Sequence, residues 1–507
     1  MHTRVTCAAL AGVDADIVQV EVDLALGLPA FAIVGLPEGA VKESKVRVLA
    51  ALANCGYAVP PRKVTVNLAP ADLKKSGAAF DLAIALGLLA GAGLVAQDRL
   101  DGLMAIGELG LDGRCRPVPG ALPFALKAQK KGISQILVPA DNAAEAAVVD
   151  GIEILPIADL PTAVTHLTGE KPIIPHPRTE AVPAPRVDDI DLAEVRGQEH
   201  AKRALEVAAA GAHNAVMIGP PGSGKTMLAR RLVTILPPLT FAEMLEVSAA
   251  HSVLGLTSAA RPLVTVRPFR APHHTVSDAG LVGGSNPPRP GEVSLAHNGI
   301  LFLDELPEFK RHVLEVLREP LEEGAITISR AAGQTTFPAT FNLIASMNPC
   351  PCGYFGSAER PCTCSEAAVE KYRGRISGPL LDRIDIHIEV PSVRVRDLTG
   401  TGPIERSASV RERVVAAREI QTARFCGTST RVNGRMSLRQ IHAACALDAA
   451  GQALIEKAID RLGLSARAYA RILKVARTIA DLEGAARIEV RHLAEAIGYR
   501  SLDRRKA

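Results

Sequence analysis

Two short stretches of the 507-residue chain have the residue types and spacing to handle a nucleoside triphosphate. Gly219-Pro220-Pro221-Gly222-Ser223-Gly224-Lys225-Thr226 fits the pattern G-x-x-x-x-G-K-[ST]. Glycines there let backbone N–H groups wrap phosphates, and a helix opening at the lysine turns its positive end towards them. Lys225 is expected on the β- and γ-phosphates and Thr226 on Mg²⁺. Ile300-Leu301-Phe302-Leu303-Asp304-Glu305 is the partner motif, an apolar strand with two carboxylates at its tip. Asp304 could hold Mg²⁺, directly or through water, and Glu305 could polarise the attacking water. A phosphate loop alone argues for binding. Followed in the same domain by the acid pair, it argues for ATP hydrolysis.

A second group of residues has metal-ligand character. Four of the nine cysteines form two Cys-x-Cys pairs, Cys350/Cys352 and Cys362/Cys364. Four thiolates could bind Zn²⁺ tetrahedrally and staple a loop that lacks its own core. The spacing is tighter than the usual Cys-x₂-Cys, so free thiols are the alternative. A catalytic zinc is not expected, because four protein ligands leave no open position. The adjacent His273 and His274 also invite a metal. Neighbouring side chains are expected to diverge, which favours a structured loop tip.

These residues need elements to position them. Strands are expected at Ala215–Ile218, Ile300–Leu303 and Phe341–Ser346, the last ending at Asn348. They imply a nucleotide-binding α/β core with its ligands at the carboxyl ends of parallel strands. Lys225 and Asp304 are 79 positions apart, too far for two strands joined by one helix. An insertion is therefore expected around His273–Gly284 and Asn286–Gly291, and a hairpin over Ile326–Pro338 that carries Arg330 and Gln334. Before this core, residues 1–170 alternate strand and helix signals: Val13–Val22 and Lys63–Leu68 as strands, Ala40–Cys55 and Phe80–Ala92 as helices. Residues 171–186 hold five prolines and read as a semi-rigid linker. The core then occupies 187–400. Residues 401–507 read as helical, apart from a connection around Gly427–Gly434.

The composition is that of a globular protein, 48% hydrophobic and 22% charged. Aromatic residues make up only 3% and Trp is absent, which argues against base recognition on aromatic platforms. Net charge is +4, but from Arg394 onward 22 Lys/Arg face 12 Asp/Glu. That asymmetry fits either a nucleic-acid-facing segment or a solvated helical surface. The longest apolar stretch, Leu82–Ala96, is too short to span a bilayer, and no signal peptide is evident at Met1–Leu10. A cytoplasmic protein with reduced cysteines and no membrane partner is expected.

The segments Phe269–Gly284, Pro290–Gly299, Met347–Gly353 and Gly378–Asp385 resemble the magnesium-chelatase-like AAA+ proteins, and within them the ComM/YifB family. The resemblance runs over nearly the whole chain. It implies a multidomain α/β fold: a Lon-protease-like α+β N-terminal domain, a P-loop AAA+ core with a parallel sheet, and a C-terminal helical lid. Asn348 then matches the polar residue that orients the water. Arg383 matches the arginine finger that reaches a neighbouring subunit's ATP. Arg467 matches the sensor arginine of the lid, with Arg471 one turn on as the alternative. In the N-terminal domain the protease's nucleophilic Ser would fall at Ala79 or Phe80, so a non-proteolytic relative is expected. Lys63, Lys74 and Lys75 could meet DNA phosphates there. The resemblance further implies a homo-hexamer acting on single-stranded or branched DNA without sequence preference. Its helicase-like activity would promote branch migration in recombination and natural transformation, with other recombination proteins as further implied partners. The rival readings are a chelatase motor subunit and a protein-remodelling chaperone.

Overall fold

The computed structural model describes residues 2–180, 190–285, 287–330, 333–357, 360–392, 404–462 and 465–500. The last part of the expected linker, 181–186, and the expected 400/401 boundary lie outside the described residues.

The N-terminal part is built on a seven-stranded sheet. Its strands are β1 (His2–Ala11), β2 (Asp14–Ala25), β3 (Ala30–Val34), β4 (Lys63–Ala69), β5 (Leu103–Ala105), β6 (Gln135–Pro139) and β7 (Glu153–Ile157), in the order β3-β4-β2-β1-β5-β6-β7. Val18, Val20, Val22 and Leu24 alternate inward along β2, as a strand with one packed face requires. Helix Asp81–Gly91 has no polar face and every residue of it is buried. Its Gly87 and Gly91 lie directly against Val22 and Leu24, where a methyl group would collide. Asp81 is the charged exception, and Arg47 clasps it from the neighbouring helix with contacts of 2.7 and 3.0 Å.

The core sheet is entirely parallel. Its strands are β8 (Ala215–Ile218), β9 (Phe269–Arg270), β10 (Ile300–Leu303), β13 (Asn342–Met347) and β14 (Ile386–Glu389), in the order β9-β10-β13-β8-β14. Between β10 and β13 stands the antiparallel hairpin of β11 (Ala325–Arg330) and β12 (Gly333–Pro338). The long interval between Lys225 and Asp304 proves to hold more than an insertion. It contains helices Lys225–Ile235 and Phe241–Ser252 and a whole sheet strand, β9. The insertion follows β9, where the short helices Asp278–Val282 and Glu292–Leu295 are separated by a small ribbon of Gly283–Gly284 with Arg289–Pro290.

The C-terminal part is helical, from Ser407–Arg424 to Val490–Gly498. Helices Ser407–Arg424 and Ala466–Leu482 pack on helix Glu199–Gly211, so core and lid share one hydrophobic cluster. The N-terminal part docks through helix Ala121–Lys130 onto helix Phe241–Ser252, where Gly120 N–H donates to Ser252 O at 3.0 Å. The β1–β2 turn at Gly12 rests on β12, where a Cβ would come within 2.9 Å of Thr335.

Candidate active site

The parallel register brings the phosphate loop and the acid pair together. β8 and β10 flank β13, with Ile218 opposite Met347 and Leu303 opposite Ala345. Gly219–Thr226, Asp304–Glu305 and Asn348 therefore emerge at the same edge of the sheet. Gly222 and Gly224 have φ of +76° and +85°, a region in which a side chain is disfavoured. Lys225 opens its helix and donates to Gly219 O at 2.8 Å, Pro220 O at 2.9 Å and Asn348 Oδ1 at 3.3 Å. Burial lowers its pKa, while Asp304 and Glu305 oppose that shift. Thr226 Oγ1 donates to Asp304 Oδ2 at 2.9 Å. A hydroxyl and a carboxylate so placed are the oxygen donors expected of a Mg²⁺ corner.

Two residues that sequence reasoning missed complete the surroundings. Ser346 donates to Asp304 Oδ1, and its Oγ also accepts from Glu305 N–H at 3.4 Å. Its signal was the register, since Ser346 follows Ala345 as Asp304 follows Leu303. Gln198, in the left-handed region at φ +60°, donates to Ser223 O at 2.7 Å and Pro391 O at 3.1 Å, bracing the loop from behind.

The four cysteines converge directly beyond Asn348. Cys350, Cys352 and Cys362 have sulfur separations of 3.3, 3.5 and 3.6 Å. With Cys364, all four sulfurs lie within 4.8 Å of one another. A tetrahedral zinc with Zn–S of about 2.3 Å requires sulfur separations of about 3.8 Å, so the set fits. Backbone N–H groups aim at the sulfurs: Phe355 at Cys350 (3.3 Å), Cys352 at Cys364 (3.4 Å) and Cys364 at Cys362 (3.4 Å). Backbone N–H groups of Tyr354 and Thr363 pull the Cys352 thiol down to about 5. The loop also touches the nucleotide site, for a Cβ on Gly353 would lie 2.5 Å from Pro221 Cδ.

Arg383 and Arg467 do not join these residues. They meet each other, with Arg471 and Lys474, around a cavity of about 310 Å³. The Arg383 side chain is only 6% exposed. It is folded onto Glu322 and Pro379 O (2.7 Å), and its Nε has no hydrogen-bond partner. Arg467 is 64% exposed, with Asp382 at 3.8 Å. Arg471 is inserted onto buried Asp385, which also accepts from Asn214 N–H at 3.2 Å.

The comparisons with known proteins agree with this geometry. The family model described as "Magnesium chelatase, subunit ChlI" matches residues 191–398. Models for "Subunit ChlI of Mg-chelatase" and "Magnesium chelatase, subunit ChlI C-terminal" match 20–142 and 404–500. The YifB protein of Escherichia coli is 45% identical over 506 residues, 99% of this chain and 97% of its own. Competence protein ComM of Haemophilus influenzae is 45% identical over 500 residues, 97% of this chain and 96% of its own. The chain belongs to the ComM/YifB family of magnesium-chelatase-like AAA+ ATPases. Likeness to a chelatase proper is narrower. The magnesium-chelatase 38 kDa subunit of Cereibacter sphaeroides is 26% identical over 39% of this chain and 58% of its own. As an AAA+ ATPase the ComM/YifB-type chain takes ATP with Mg²⁺, and the donors at Thr226 and Asp304 fit that ion.

Two expectations are corrected. Lys75 cannot meet DNA: it is fully buried and its Nζ donates to Pro70 O, while neighbouring Lys74 pairs with Glu38 at 3.1 Å. Part of the basic C-terminal charge is committed to partners within the fold. Arg424 and Arg477 clasp Asp481, Arg413 bridges to Glu206, and Arg418 and Arg435 cap the carbonyls of Ala209 and Leu321. The rings of His273 and His274 do not diverge; their centroids lie 4.1 Å apart. No helix among the described residues is long and apolar enough to cross a membrane.

Proposed function

We propose that the chain is the subunit of a ring-forming DNA motor, a homo-hexamer whose ATP hydrolysis drives branch migration during recombination and uptake of transforming DNA. The observation that carries the ring is the division of the chemistry within one chain: phosphate loop and acids at one site, the Arg383–Arg467 cluster at another. Head-to-tail contact of identical subunits brings one cluster to the next subunit's phosphate loop and closes into a ring. Lys225 and the loop amides hold the phosphates. Thr226 and Asp304 hold Mg²⁺, which when bound neutralises phosphate charge. Glu305 polarises the water, and Asn348 orients it. Arg383, released from Glu322, and Arg467 bring positive charge to the neighbour's γ-phosphate. Arg467 suits that role better than Arg471, which is committed to Asp385.

DNA as the substrate is supported by the printed name of the Haemophilus relative, a competence protein, and by the hairpin whose first strand ends at Arg330. The four cysteines hold a structural Zn²⁺. The N-terminal part is a non-proteolytic, Lon-protease-like domain: Ala79 and Phe80 are buried side chains without a nucleophile. The motor works in the cytoplasm. The test is ATPase and strand displacement on forked and three-stranded DNA, with Lys225→Ala and Glu305→Gln as controls. Lys225→Ala should lose tight ATP binding, and Glu305→Gln should keep ATP but not turn it over. A wild type that binds no DNA at low salt with ATP present would point instead to a protein-remodelling motor.

A further inference from the structure

The guanidinium of Arg383 rests on Glu322, but its backbone is tied to a different part of the fold. Arg383 O accepts from Asn214 Nδ2 at 3.0 Å. Asn214 stands immediately before β8 and is buried. Its Oδ1 accepts from the N–H of Leu343 in β13 at 2.9 Å. Its own N–H donates to Asp385 Oδ2 at 3.2 Å, and its carbonyl accepts from Asp385 N–H at 2.9 Å and Ile386 N–H at 3.1 Å, where β14 begins. One residue thus joins the starts of β8, β13 and β14 to the backbone of Arg383.

A side-chain amide has a donor end and an acceptor end, and here each serves a different element. β8 is held in the sheet by backbone pairing on both sides, with Ala215 opposite Ile344 of β13 and Ile386 of β14. The bond to Arg383 O lies outside that ladder. It fixes the end of helix Gly378–Leu381, where Arg383 N–H donates to Leu380 O at 2.9 Å, against β8 and β13. The same two strands deliver the phosphate loop and Asn348 at their opposite ends, about 16 Å away at the rise of a strand. Paired strands are stiff along their length and carry a displacement from one end to the other. How far a long side chain can reach depends on where its backbone is held, so Asn214 sets the starting point from which Arg383 reaches.

We propose that Asn214 is a positioning residue for the arginine finger: it holds the Arg383 backbone against β8 and β13, so that the strands carrying a chain's own nucleotide site also place the finger it presents to its neighbour. This rests on Arg383 acting in trans. The consequence is directional. Loss of the Asn214 amide harms turnover of the neighbour's nucleotide and spares the nucleotide held by its own chain.

The experiment uses mixed rings of the full chain, with ATPase read as kcat and KM for ATP. In rings of Lys225→Ala and Arg383→Ala chains, the first supplies the finger and the second holds the nucleotide. Asn214→Ala added to the Lys225→Ala chain should lower the recovered kcat by on the order of ten- to a hundredfold, with KM unchanged. Added instead to the Arg383→Ala chain, it should lower kcat by about twofold at most. A purely structural loss would follow the substitution into either chain. Should Asn214→Ala fail to enter rings, Asn214→Ser takes its place, because one hydroxyl cannot span from Leu343 N–H to Arg383 O. A fall of equal size in both arrangements, or in neither, overturns the proposal. No recovered activity in the parent mixture would instead sink the trans role of Arg383 on which it rests.

Discussion

The phosphate-loop site and the Arg383 cluster carry opposite charge and opposite deficits. At the first, Asp304 and Glu305 face the half-buried Lys225, and among the described residues no arginine forms an ion pair with any of the three. At the second, Arg383, Arg467, Arg471 and Lys474 gather around one cavity, answered among the described residues by Glu322, Asp382 and Asp385. The first can hold and activate a triphosphate but lacks a mobile cation for charge that develops in the transition state. The second has cations and nothing to act on. Even their rigidity differs. Lys225 is anchored to loop carbonyls, whereas Arg383 is folded onto a half-exposed glutamate that it can leave. On the proposed function, one chain carries two half-sites, and a cycle would require two chains.

The sharpest way to break that division is to separate the halves into different subunits. Arg383→Ala should bind ATP normally and lose turnover by about a thousandfold or more, the range for removal of an arginine supplied in trans. Lys225→Ala should lose binding. Mixed rings of the two variants contain some interfaces with both halves intact and should recover part of the ATPase. Rings shown to be mixed yet inactive, or a fully active Arg383→Ala, would mean that the halves do not meet.

Arg471 and Arg467 divide the cluster further, into scaffold and tool. Burial alone would raise the Asp385 carboxyl; Arg471 and the hydrogen bond from His213 outweigh it and hold the group well below the usual carboxylate range. Asp385 therefore contributes stability that is present above about pH 4 and is lost as pH falls towards its folded value. Arg471→Ala leaves a buried charge without its cation and should destabilise by about 3–5 kcal/mol at pH 7. Below about pH 4, where an unpartnered Asp385 is protonated, the gap to wild type should narrow. Arg467→Ala should leave the urea midpoint unchanged and reduce turnover only. Equal unfolding midpoints for the two variants at pH 7 would erase the distinction.

How far the sequence revealed these regions follows from how local their signals are. β8, β10 and β13 were legible because each is an apolar run that ends in polar chemistry, at Gly219, Asp304 and Asn348. β9 was not, because it is two residues long and flanked by Pro268 and Pro272, with no periodicity to read. The Arg383 cluster joins residues more than 80 positions apart, brought together only by docking of the lid. Residue type alone misled at Lys75, since a lysine is ordinarily solvated and nothing nearby in sequence reports its burial. The same is true of the lid arginines, whose carbonyl and carboxylate partners lie in other elements.

A smaller effect probes how the phosphate-loop half is braced. Gly353 has φ of +86° and lies against Pro221, so Gly353→Ala must displace the cysteine loop, the phosphate loop or both. Nucleotide affinity should fall about tenfold, with the Arg383 cluster unaffected. Cys364→Ser should act through the same contact. Wild type purified without chelator should carry about one equivalent of zinc per chain, and the serine variant much less. Zinc-free protein with normal nucleotide affinity would reduce the cysteines to ordinary thiols and uncouple them from the loop.

The smallest effect concerns the hairpin, which belongs to neither half-site. β11 and β12 pair from Ala325 with Pro338 to Arg330 with Gly333. The base is fixed by buried Phe337 and by the β1–β2 turn at Gly12. The pairing is described out to Arg330 and Gly333, so the proposed phosphate contact is assigned to Arg330 at the far end of the ribbon. One phosphate contact is worth little in affinity but has a distinctive signature. Each neutralised phosphate releases condensed counterions, so losing one contact should lower the log–log slope of binding against salt by about one. Arg330→Ala should show that change for single-stranded DNA of any sequence, slow branch migration of a three-stranded junction, and leave ATP affinity untouched. Arg435→Ala is the contrasting case. Its guanidinium caps the carbonyls of Leu321 and Phe341, so its removal should cost stability without moving the slope. An unchanged slope in Arg330→Ala, or an equal fall in Arg435→Ala, would place the DNA elsewhere than at the hairpin.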